Sequence, residues 1–423
     1  MDSLTGRLRD LAVGAGFLAF ATGQRLRTGR WRSDARTRNG KVGEPRRRAP
    51  GPRILVHGVS VGETNALVPL VEALADSDAA PDVVVSASTS TGFERARQLH
   101  RGSREVVRFP LDLTWMVNRF LDAVRPEAVV LAELELWPTF MAACARRGIP
   151  VSVVNGRLSA RSFRGYRAWR PFVRPMFSRL ALVVAQTDVY RARFVELGVP
   201  APRAVVGGSL KWDAAQKEPD PAQARALASS LGIDADKPLI VAGSTGPGEE
   251  AALIRELPRG CQLLLAPRNP DRWDVVAALV PGMRRRSMAP GAPPGNDAPP
   301  PTPDPPVFLL DTIGELTTAY TLADAVFVGR SLAPMGGSNP LEPVAAGKPT
   351  VIGPHHEHFE DIVTTLSAAG ALEVSDEPMR VITEWIRDSA ARKAVVRAGK
   401  NTLSAHRGTS ARTAALVLGI LAV

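Results

Sequence analysis

Short apolar runs recur along the whole chain, and each is followed by a polar or glycine-rich cluster and then by a segment with helical spacing. A short, continuous apolar run is typical of a parallel strand that is buried on both faces. Strands that alternate with helices in this way predict α/β folding with doubly wound parallel sheets. The predicted strands are residues 54–59, 83–85, 106–109, 128–132, 151–154, 182–185, 238–242, 262–266, 307–310, 326–328 and 349–354.

The predicted strands fall into two groups, separated by a stretch rich in Ala, Gln, Asp and Pro between residues 213 and 237. The length of 423 residues suffices for two domains. We predict Rossmann-like domains at 51–215 and 235–423 that face one another across a cleft. This is the GT-B plan, which some epimerases share. The segment 290–306 holds nine prolines and is interpreted as a surface insertion in the second domain.

The net charge of +11 is concentrated near the N-terminus. Residues 1–53 hold 13 Lys or Arg and 4 Asp or Glu, whereas the remainder holds 40 and 38 and is nearly neutral. The apolar run 11–20 is shorter than the roughly 20 residues that span a bilayer. We interpret 1–50 as an arm that associates with an anionic membrane surface; a cleaved signal peptide and plain disorder are the alternatives. The near-neutral body argues against a nucleic-acid groove.

Two cysteines, Cys144 and Cys261, lie far apart in apolar surroundings. They predict buried thiols in a reducing compartment rather than a disulfide. His355, His356 and His358 stand close together, but their loop position and the lack of a matching carboxylate argue against a metal site.

In the first predicted domain, carboxylates and cations follow the strands, where open α/β sheets bind their ligands. Glu63 follows the first strand and suits a base that takes a hydroxyl proton; the alternative is a charge that favours the helix N-terminus. Glu133 and Glu135 suit the binding of sugar hydroxyls; the alternative is that one of the two is purely structural. Arg157 and Lys211 suit a ligand carboxylate or phosphate, with simple solvation as the alternative.

In the second predicted domain, Arg268 follows a strand that a proline ends. A guanidinium there suits bidentate binding of a phosphate, and a surface ion pair is the alternative. Ser244 and Thr245 precede a helix, either as contacts to a ligand or as caps.

Two further loops of the second domain run into helices, one of them through adjacent glycines and a predicted cap at Ser338 or Asn339. Unpaired backbone N–H groups at a helix N-terminus suit a phosphate, and a carboxylate one turn later suits sugar hydroxyls. A capped helix after a tight turn, or a capping role for the carboxylate at 315, is the alternative. The residues expected to contact a ligand here are Ile313, Gly314, Glu315, Gly336, Gly337, Ser338, Asn339 and Glu342.

Seven motifs occur in one order and give residues 54–362 a close resemblance to the 3-deoxy-D-manno-octulosonic acid (Kdo) transferase family. The motifs are HGVSVGE at 57–63, ELELWP at 133–138, NGRLS at 155–159, LK at 210–211, APR at 266–268, DTIGEL at 311–316 and GSNPLEP at 337–343.

The resemblance implies an inverting GT-B glycosyltransferase that transfers Kdo from CMP-Kdo to a lipid A precursor in lipopolysaccharide core synthesis. It places the base on Glu63 and a CMP phosphate contact on Arg268. It implies that the other second-domain residues, from Ser244 to Glu342, contact the donor. It implies that Glu133, Glu135, Arg157 and Lys211 of the first domain contact the acceptor or Kdo. It implies no bound metal or cofactor, a location at the cytoplasmic face of the inner membrane, and an N-terminal membrane anchor.

The chain departs from the family's usual residues mostly on the donor side. The family commonly has His where Gly246, Asn269 and Ser338 stand, and it has Asn near Ser209 and at His358. Another eight- or nine-carbon ulosonic acid is therefore an alternative donor. The rival functions are a GT-B enzyme or epimerase that uses a UDP-sugar, and an inactive GT-B module that binds nucleotide sugar or lipid.

Overall fold

The computed structural model describes residues 38–215, 220–288 and 306–421. The predicted arm up to residue 37 and the predicted proline-rich insertion, except Pro306, lie outside the described residues. The chain divides into two compact units, the first formed by Met1–Ala214 with Gly408–Val423 and the second by Ala215–Arg407.

The first unit is built on a seven-stranded parallel sheet with strand order β3-β2-β1-β4-β5-β6-β7. Its strands are β1 Arg53–Gly58, β2 Asp82–Ala87, β3 Glu105–Arg108, β4 Ala128–Ala132, β5 Val151–Gly156, β6 Leu182–Ala185 and β7 Ala204–Val206. Its helices are α1 Val61–Ala75, α2 Ser90–Leu99, α3 Thr114–Val124, α4 Pro138–Arg146, α5 Ala160–Ala168, α6 Arg170–Phe177, α7 Asp188–Leu197 and α8 Lys211–Ala214, with the final helix, α17 Thr409–Leu421.

The second unit repeats this plan with strand order β10-β11-β9-β8-β12-β13-β14, also parallel. Its strands are β8 Leu239–Thr245, β9 Gln262–Pro267, β10 Arg284–Arg285, β11 Val307–Leu309, β12 Ala325–Val328, β13 Thr350–Ile352 and β14 Glu373–Val374. Its helices are α9 Pro221–Leu231, α10 Glu249–Arg255, α11 Trp273–Ala277, α12 Leu316–Leu322, α13 Leu341–Ala345, α14 Glu360–Ala368, α15 Pro378–Arg387 and α16 Ser389–Ala405.

The apolar runs form the centres of both cores, as their composition predicts. Leu55 and Val56 of β1 are both fully buried and belong to clusters on opposite faces of the first sheet. Ile240 and Val241 of β8 are likewise fully buried in the second unit. Every strand predicted from an apolar run is present, and Cys144 and Cys261 are buried free thiols. The short strands β7, β10 and β14 were not predicted, because runs of two or three residues carry no periodic signal.

The predicted C-terminal domain extended to residue 423, but its last segment belongs to the first unit. Ala414 and Val417 of α17 are buried in the same apolar cluster as Leu67 and Leu70 of α1. The Asp213 carboxylate accepts hydrogen bonds from the backbone N–H groups at the start of this segment, at 2.9 and 2.6 Å. An amphipathic helix shows which face is apolar but not which sheet it covers, so the sequence pattern did not reveal this return.

The last part of the predicted arm, residues 38–50, contacts the first unit. The Arg38 guanidinium donates to the carbonyl oxygens of Phe109 and Pro110 at 3.1 and 3.3 Å. Arg48 pairs with Glu105 at 2.6 Å. Among the described residues, no helix is both long enough and apolar enough to cross a bilayer.

Candidate active site

The predicted residues of the first unit gather at the carboxyl edge of its sheet. Glu63 follows β1, Glu133 follows β4 and Arg157 follows β5. These three strands are neighbours, and the strand order reverses between β1 and β4. Such a reversal point is where open parallel sheets leave a crevice for a ligand.

The Glu63 carboxylate is held by the loop that precedes α1. It accepts hydrogen bonds from the Val59 backbone N–H and the Ser60 hydroxyl, both at 2.8 Å. Ser60 in turn caps the helix by accepting from the Glu63 N–H at 3.4 Å. This arrangement differs from a standard capping box, in which the Glu would accept from the Ser60 backbone N–H, but it places Glu63 in the helix-terminal role that was its alternative. A carboxylate has about four acceptor positions, which leaves room for a substrate hydroxyl as well.

Glu133 lies at the sharp turn after β4, with a left-handed backbone at φ 55°. Burial raises the pKa of its carboxyl above the ordinary value. The positive charges of Lys211 and Arg157 oppose this shift, and the negative charge of Glu63 adds to it. The structure therefore brings these four predicted residues into one electrostatic cluster.

Glu135 belongs to the same cluster. Burial raises its pKa to about 7, and the negative charges of Glu63 and Glu133 contribute in the same direction. Contact with the Trp137 indole and the charge of Arg38 favour the ionised form but do not outweigh burial. A carboxyl with this pKa holds and releases a proton near neutral pH, as acid–base chemistry requires. Arg38 was missed by sequence analysis because it lies in the segment interpreted as arm.

In the second unit, the strand order reverses between β8 and β12, and predicted residues lie at both strand ends. Ser244 has a left-handed backbone at φ 57°, and its carbonyl oxygen accepts from the Ser338 hydroxyl at 3.5 Å. The Arg268 N–H donates to the Thr245 carbonyl at 3.0 Å, while the Arg268 side chain is exposed. The exposed guanidinium is thus anchored through its backbone and free of any hydrogen bond in the described part of the chain.

Two buried carboxylates that sequence analysis missed fix these loops. Glu249 accepts four backbone hydrogen bonds, from Gly246 and from the three consecutive residues after Gly329, at 2.7 to 3.0 Å. Glu250 accepts from the Thr245 hydroxyl at 2.8 Å and forms a two-point ion pair with Arg272. Thr245 is therefore not a helix cap. Two acidic residues directly after a glycine-rich turn were the available signal.

The loop after β11 exposes a backbone tip. Ile313 is 83% exposed, and Gly314 has φ 97° with open space around it. Glu315 does not cap α12 with its side chain, because its carboxylate pairs with Arg286 at 3.0 Å and accepts from the Thr312 hydroxyl. The capping alternative for Glu315 is wrong, and its carboxylate instead ties this loop to the preceding segment.

The glycine loop after β12 is packed closely against the histidine segment. A Cβ atom on Gly336 would lie 2.4 Å from the His358 ring, so only glycine fits there. The predicted cap at Ser338 or Asn339 is wrong, because α13 begins at Leu341 with Pro340 at the N-cap position and no side-chain capping hydrogen bond. Asn339 instead accepts from the Leu341 N–H at 3.2 Å in an Asx turn, and its amide donates to Glu342 at 3.2 Å. Gly337 follows with φ 75° and donates its N–H to the Arg330 carbonyl at 2.8 Å.

Tyr320 is a buried residue that sequence analysis also missed, and the charges of two predicted residues, Arg268 and Glu342, act on it. Burial raises its pKa well above the ordinary value; the Glu342 charge adds to the shift and the Arg268 charge opposes it. Both charges therefore act on one buried phenol. Two of the three neighbouring histidines have polar side-chain contacts: His356 contacts the Gly353 carbonyl at 3.0 Å, and His355 lies 3.7 Å from the Glu357 carboxylate. Among the described residues, no group of three or more His, Cys, Asp or Glu is arranged to hold a metal ion.

Comparison with solved structures bears on the fold. HepE of Anabaena, solved in complex with UDP-glucose, superposes with a TM-score of 0.60 over 87% of this chain and 99% of that chain, at 15% sequence identity. Likeness at this identity shows the fold alone: two parallel-sheet α/β units of the GT-B class.

Comparison with sequence families bears on identity. The family described as 3-deoxy-D-manno-octulosonic-acid transferase (kdotransferase) matches residues 29–214. The 3-deoxy-D-manno-octulosonic acid transferase of Bordetella pertussis is 34% identical over 413 residues, 91% of each chain. The enzyme of the same name from Haemophilus influenzae is 32% identical over 378 residues, 86% of each chain. With this identity sustained over both units, the chain belongs to the 3-deoxy-D-manno-octulosonic acid transferase family of glycosyltransferases.

Proposed function

We propose that the protein transfers Kdo from CMP-Kdo to a lipid A precursor, with inversion at the anomeric carbon, in lipopolysaccharide core synthesis. The observation that carries this proposal is the cluster of Glu63, Glu133 and Glu135 at the carboxyl edge of the first unit. The negative charge of Glu63 raises the pKa of both Glu133 and Glu135, and coupling of this kind is typical of a proton-transfer site. Family membership supplies the reaction class.

In the proposed reaction, the acceptor hydroxyl oxygen attacks the anomeric carbon of Kdo. The bond from that carbon to the phosphate oxygen breaks, and CMP leaves with the electron pair. The hydroxyl proton passes to Glu63, which its two hydrogen bonds hold in one orientation. Lys211 and Arg157 carry the positive charge suited to the Kdo carboxylate or to an acceptor phosphate.

The second unit is proposed to hold the donor. The exposed Arg268 guanidinium suits the CMP phosphate, and the exposed backbone tip at Ile313 and Gly314 suits the nucleotide. Asn339 and Glu342 provide the amide and carboxylate that suit sugar hydroxyls. No metal or other cofactor is proposed, so we expect activity to persist after exhaustive treatment with EDTA.

We also propose that the acceptor lies in a membrane, at its cytoplasmic face, and a patch on α5 and α6 supports contact with a lipid surface. No residue of α5 is buried, and α6 buries only Phe177. Trp169 and Phe172 are 64% and 77% exposed. The surrounding cations are Arg161, Arg164, Arg167, Arg170 and Arg174. Aromatic side chains among arginines suit an anionic lipid surface, and the Glu135 charge acts on Tyr166 of α5, which puts this patch beside the cluster.

The transfer is tested by incubating the full chain with CMP-Kdo and a tetraacylated lipid A precursor, followed by mass spectrometry of the lipid. We expect the mass of the acceptor to rise by whole Kdo residues, with release of CMP. Release of UDP from a UDP-sugar, with no change of the lipid in the presence of CMP-Kdo, would contradict the proposal.

Membrane association is tested by vesicle flotation of two variants. Deletion of residues 1–37 spares the contacts of Arg38 and Arg48 with the first unit, so the body should stay folded. We expect this deletion and the Trp169→Ser/Phe172→Ser variant each to weaken flotation, and their combination to abolish it. Unchanged flotation of the combined variant would contradict membrane association through these segments.

A further inference from the structure

A cavity lined by several charged residues lies in the second unit, at the amino edge of its sheet. Its volume is about 440 Å³. Asp324 and Lys348 line it; Asp324 directly precedes β12, and Lys348 lies two residues before β13. The predicted donor residues follow the carboxyl ends of strands in the same parallel sheet. Because the two edges of a parallel sheet are opposite one another, this cavity is distinct from the candidate active site.

The cavity is strongly basic. Its charged lining residues are Asp324, Lys348, Arg392, Lys393, Arg397 and Lys400. The single carboxylate, that of Asp324, is already occupied: it accepts from the Leu239 N–H at 3.0 Å and faces the Arg392 guanidinium at 3.5 Å. Within the described ranges, the four lysine and arginine side chains other than Arg392 form no ion pair.

The arrangement of these cations concentrates like charge in one place, with Lys393, Arg397 and Lys400 exposed at the surface of the unit. Lys393, Arg397 and Lys400 are spaced four and three residues apart on α16, so they lie along one face of the helix. Like charges at this spacing destabilise a helix. Lys348 lies opposite and is half-buried. Burial lowers its pKa, the Asp324 charge opposes this shift, and the nearby Arg392 charge adds to it. A bound anion would relieve both the repulsion and the cost of burying Lys348.

We propose that this cavity binds a dianionic phosphate monoester. Arginine provides a planar fork for phosphate oxygens, and lysine provides mobile point charges around them. The volume lies within the range of small-molecule sites, so a whole phosphorylated headgroup or sugar phosphate fits. The source of the phosphate is either a soluble ester or the headgroup of a membrane lipid.

The site is tested by calorimetric titration of inorganic phosphate into the full chain at constant ionic strength. We expect saturable binding that weakens about tenfold or more in the Lys393→Gln/Arg397→Gln/Lys400→Gln variant. The matched control is Arg225→Gln/Arg259→Gln/Arg387→Gln, which removes three exposed cations of the same unit outside the cavity and should bind as the parent does. Both triple variants are also made with Arg268→Ala. This substitution removes the proposed phosphate contact of the donor site, so the remaining binding can be assigned to the cavity.

Flotation with phosphatidylcholine vesicles that contain phosphatidic acid distinguishes the sources. Weaker flotation of the cavity variant than of the control indicates a lipid headgroup, whereas equal flotation with loss of phosphate binding indicates a soluble ester. Phosphate should also raise the melting temperature of the parent and the control but not of the cavity variant. Melts followed by circular dichroism measure this and verify that each protein is folded. Equal phosphate affinity of the two triple variants would overturn the proposal.

Discussion

Both units carry acidic residues just after a strand that borders the point where the strand order reverses, but they use them in opposite ways. In the first unit, Glu133 and Glu135 are buried, and the nearby positive charges and hydrogen-bond donors do not offset the loss of solvation, so their pKa values rise. In the second unit, Glu249 and Glu250 are buried more completely, yet each is matched by several hydrogen-bond donors. The same residue type therefore provides titratable groups in one sheet and structural support in the other.

This difference indicates how the work is divided. A carboxyl such as Glu135, with a pKa of about 7, can exchange a proton near neutral pH, which suits the unit proposed to activate the acceptor. Carboxylates that bind several backbone N–H groups hold loops in place, which suits the unit proposed to bind a preformed nucleotide. The exposed groups of the second unit, such as Arg268, are then available for the ligand. Four substitutions can break or sharpen this comparison.

The largest effect is expected from Glu63→Gln, which keeps the size of the side chain but cannot take a proton. If Glu63 is the base, single-turnover transfer should fall by roughly 10²–10⁴. CMP affinity, measured by calorimetry, should stay unchanged because Glu63 belongs to the other unit. Glu72→Gln, an exposed position on the same helix α1, is the matched control and should leave both values as they are.

Normal transfer by Glu63→Gln would remove the base assignment. Glu135 would then be tested next, because its pKa of about 7 already places its proton exchange in the working range.

The second substitution, Glu249→Gln, tests the structural role of carboxylates in the second unit. One of the two carboxylate oxygens becomes an NH₂ group that faces backbone N–H donors, so hydrogen bonds are lost in a buried place. We expect a loss of roughly 2–4 kcal/mol in the free energy of unfolding, measured by urea denaturation, together with weaker CMP binding. Glu256→Gln, exposed just beyond α10, should change neither. Equal stability of the two variants would show that the loops do not depend on Glu249.

Sequence patterns predicted the strands well and the site only in part, for physical reasons. Apolar runs such as 54–59 are buried on both faces, so their composition alone marks them as strands. Glu63 and Arg268 were found because each follows such a run. Glu249 and Tyr320 were missed because their importance comes from partners far away in the sequence, as in the contact between Glu249 and the loop at Arg330.

The third substitution, Arg268→Ala, removes the cation proposed to bind the CMP phosphate. We expect CMP binding to weaken by about 1.5–3 kcal/mol, the size of a charge-assisted hydrogen bond, with unchanged unfolding because the side chain is exposed. Calorimetry with CMP gives the affinity. Arg259→Ala, at another exposed position of the second unit, is the control. If both variants bind CMP alike, the phosphate is held elsewhere.

The smallest effect is expected from Glu135→Gln and depends on pH. The folded state keeps the Glu135 proton up to a pKa of about 7, whereas the unfolded chain releases it near 4.5. Between these values the folded state binds more protons, so this residue lowers the stability of the parent as the pH rises. Glutamine carries no charge and avoids this cost.

The difference in unfolding free energy between Glu135→Gln and the parent should therefore be small at pH 4, grow through pH 5 to 7 and level off above, with the variant more stable by roughly 1–3 kcal/mol. Thermal melts across this range measure it. Glu94→Gln, exposed on α2, should show no such rise. A rise that disappears when Glu63 is also changed to Gln would assign the shift to that neighbouring charge, whereas a rise that persists would assign it to burial. A flat difference for Glu135→Gln would show that the first unit compensates its carboxylates as fully as the second does.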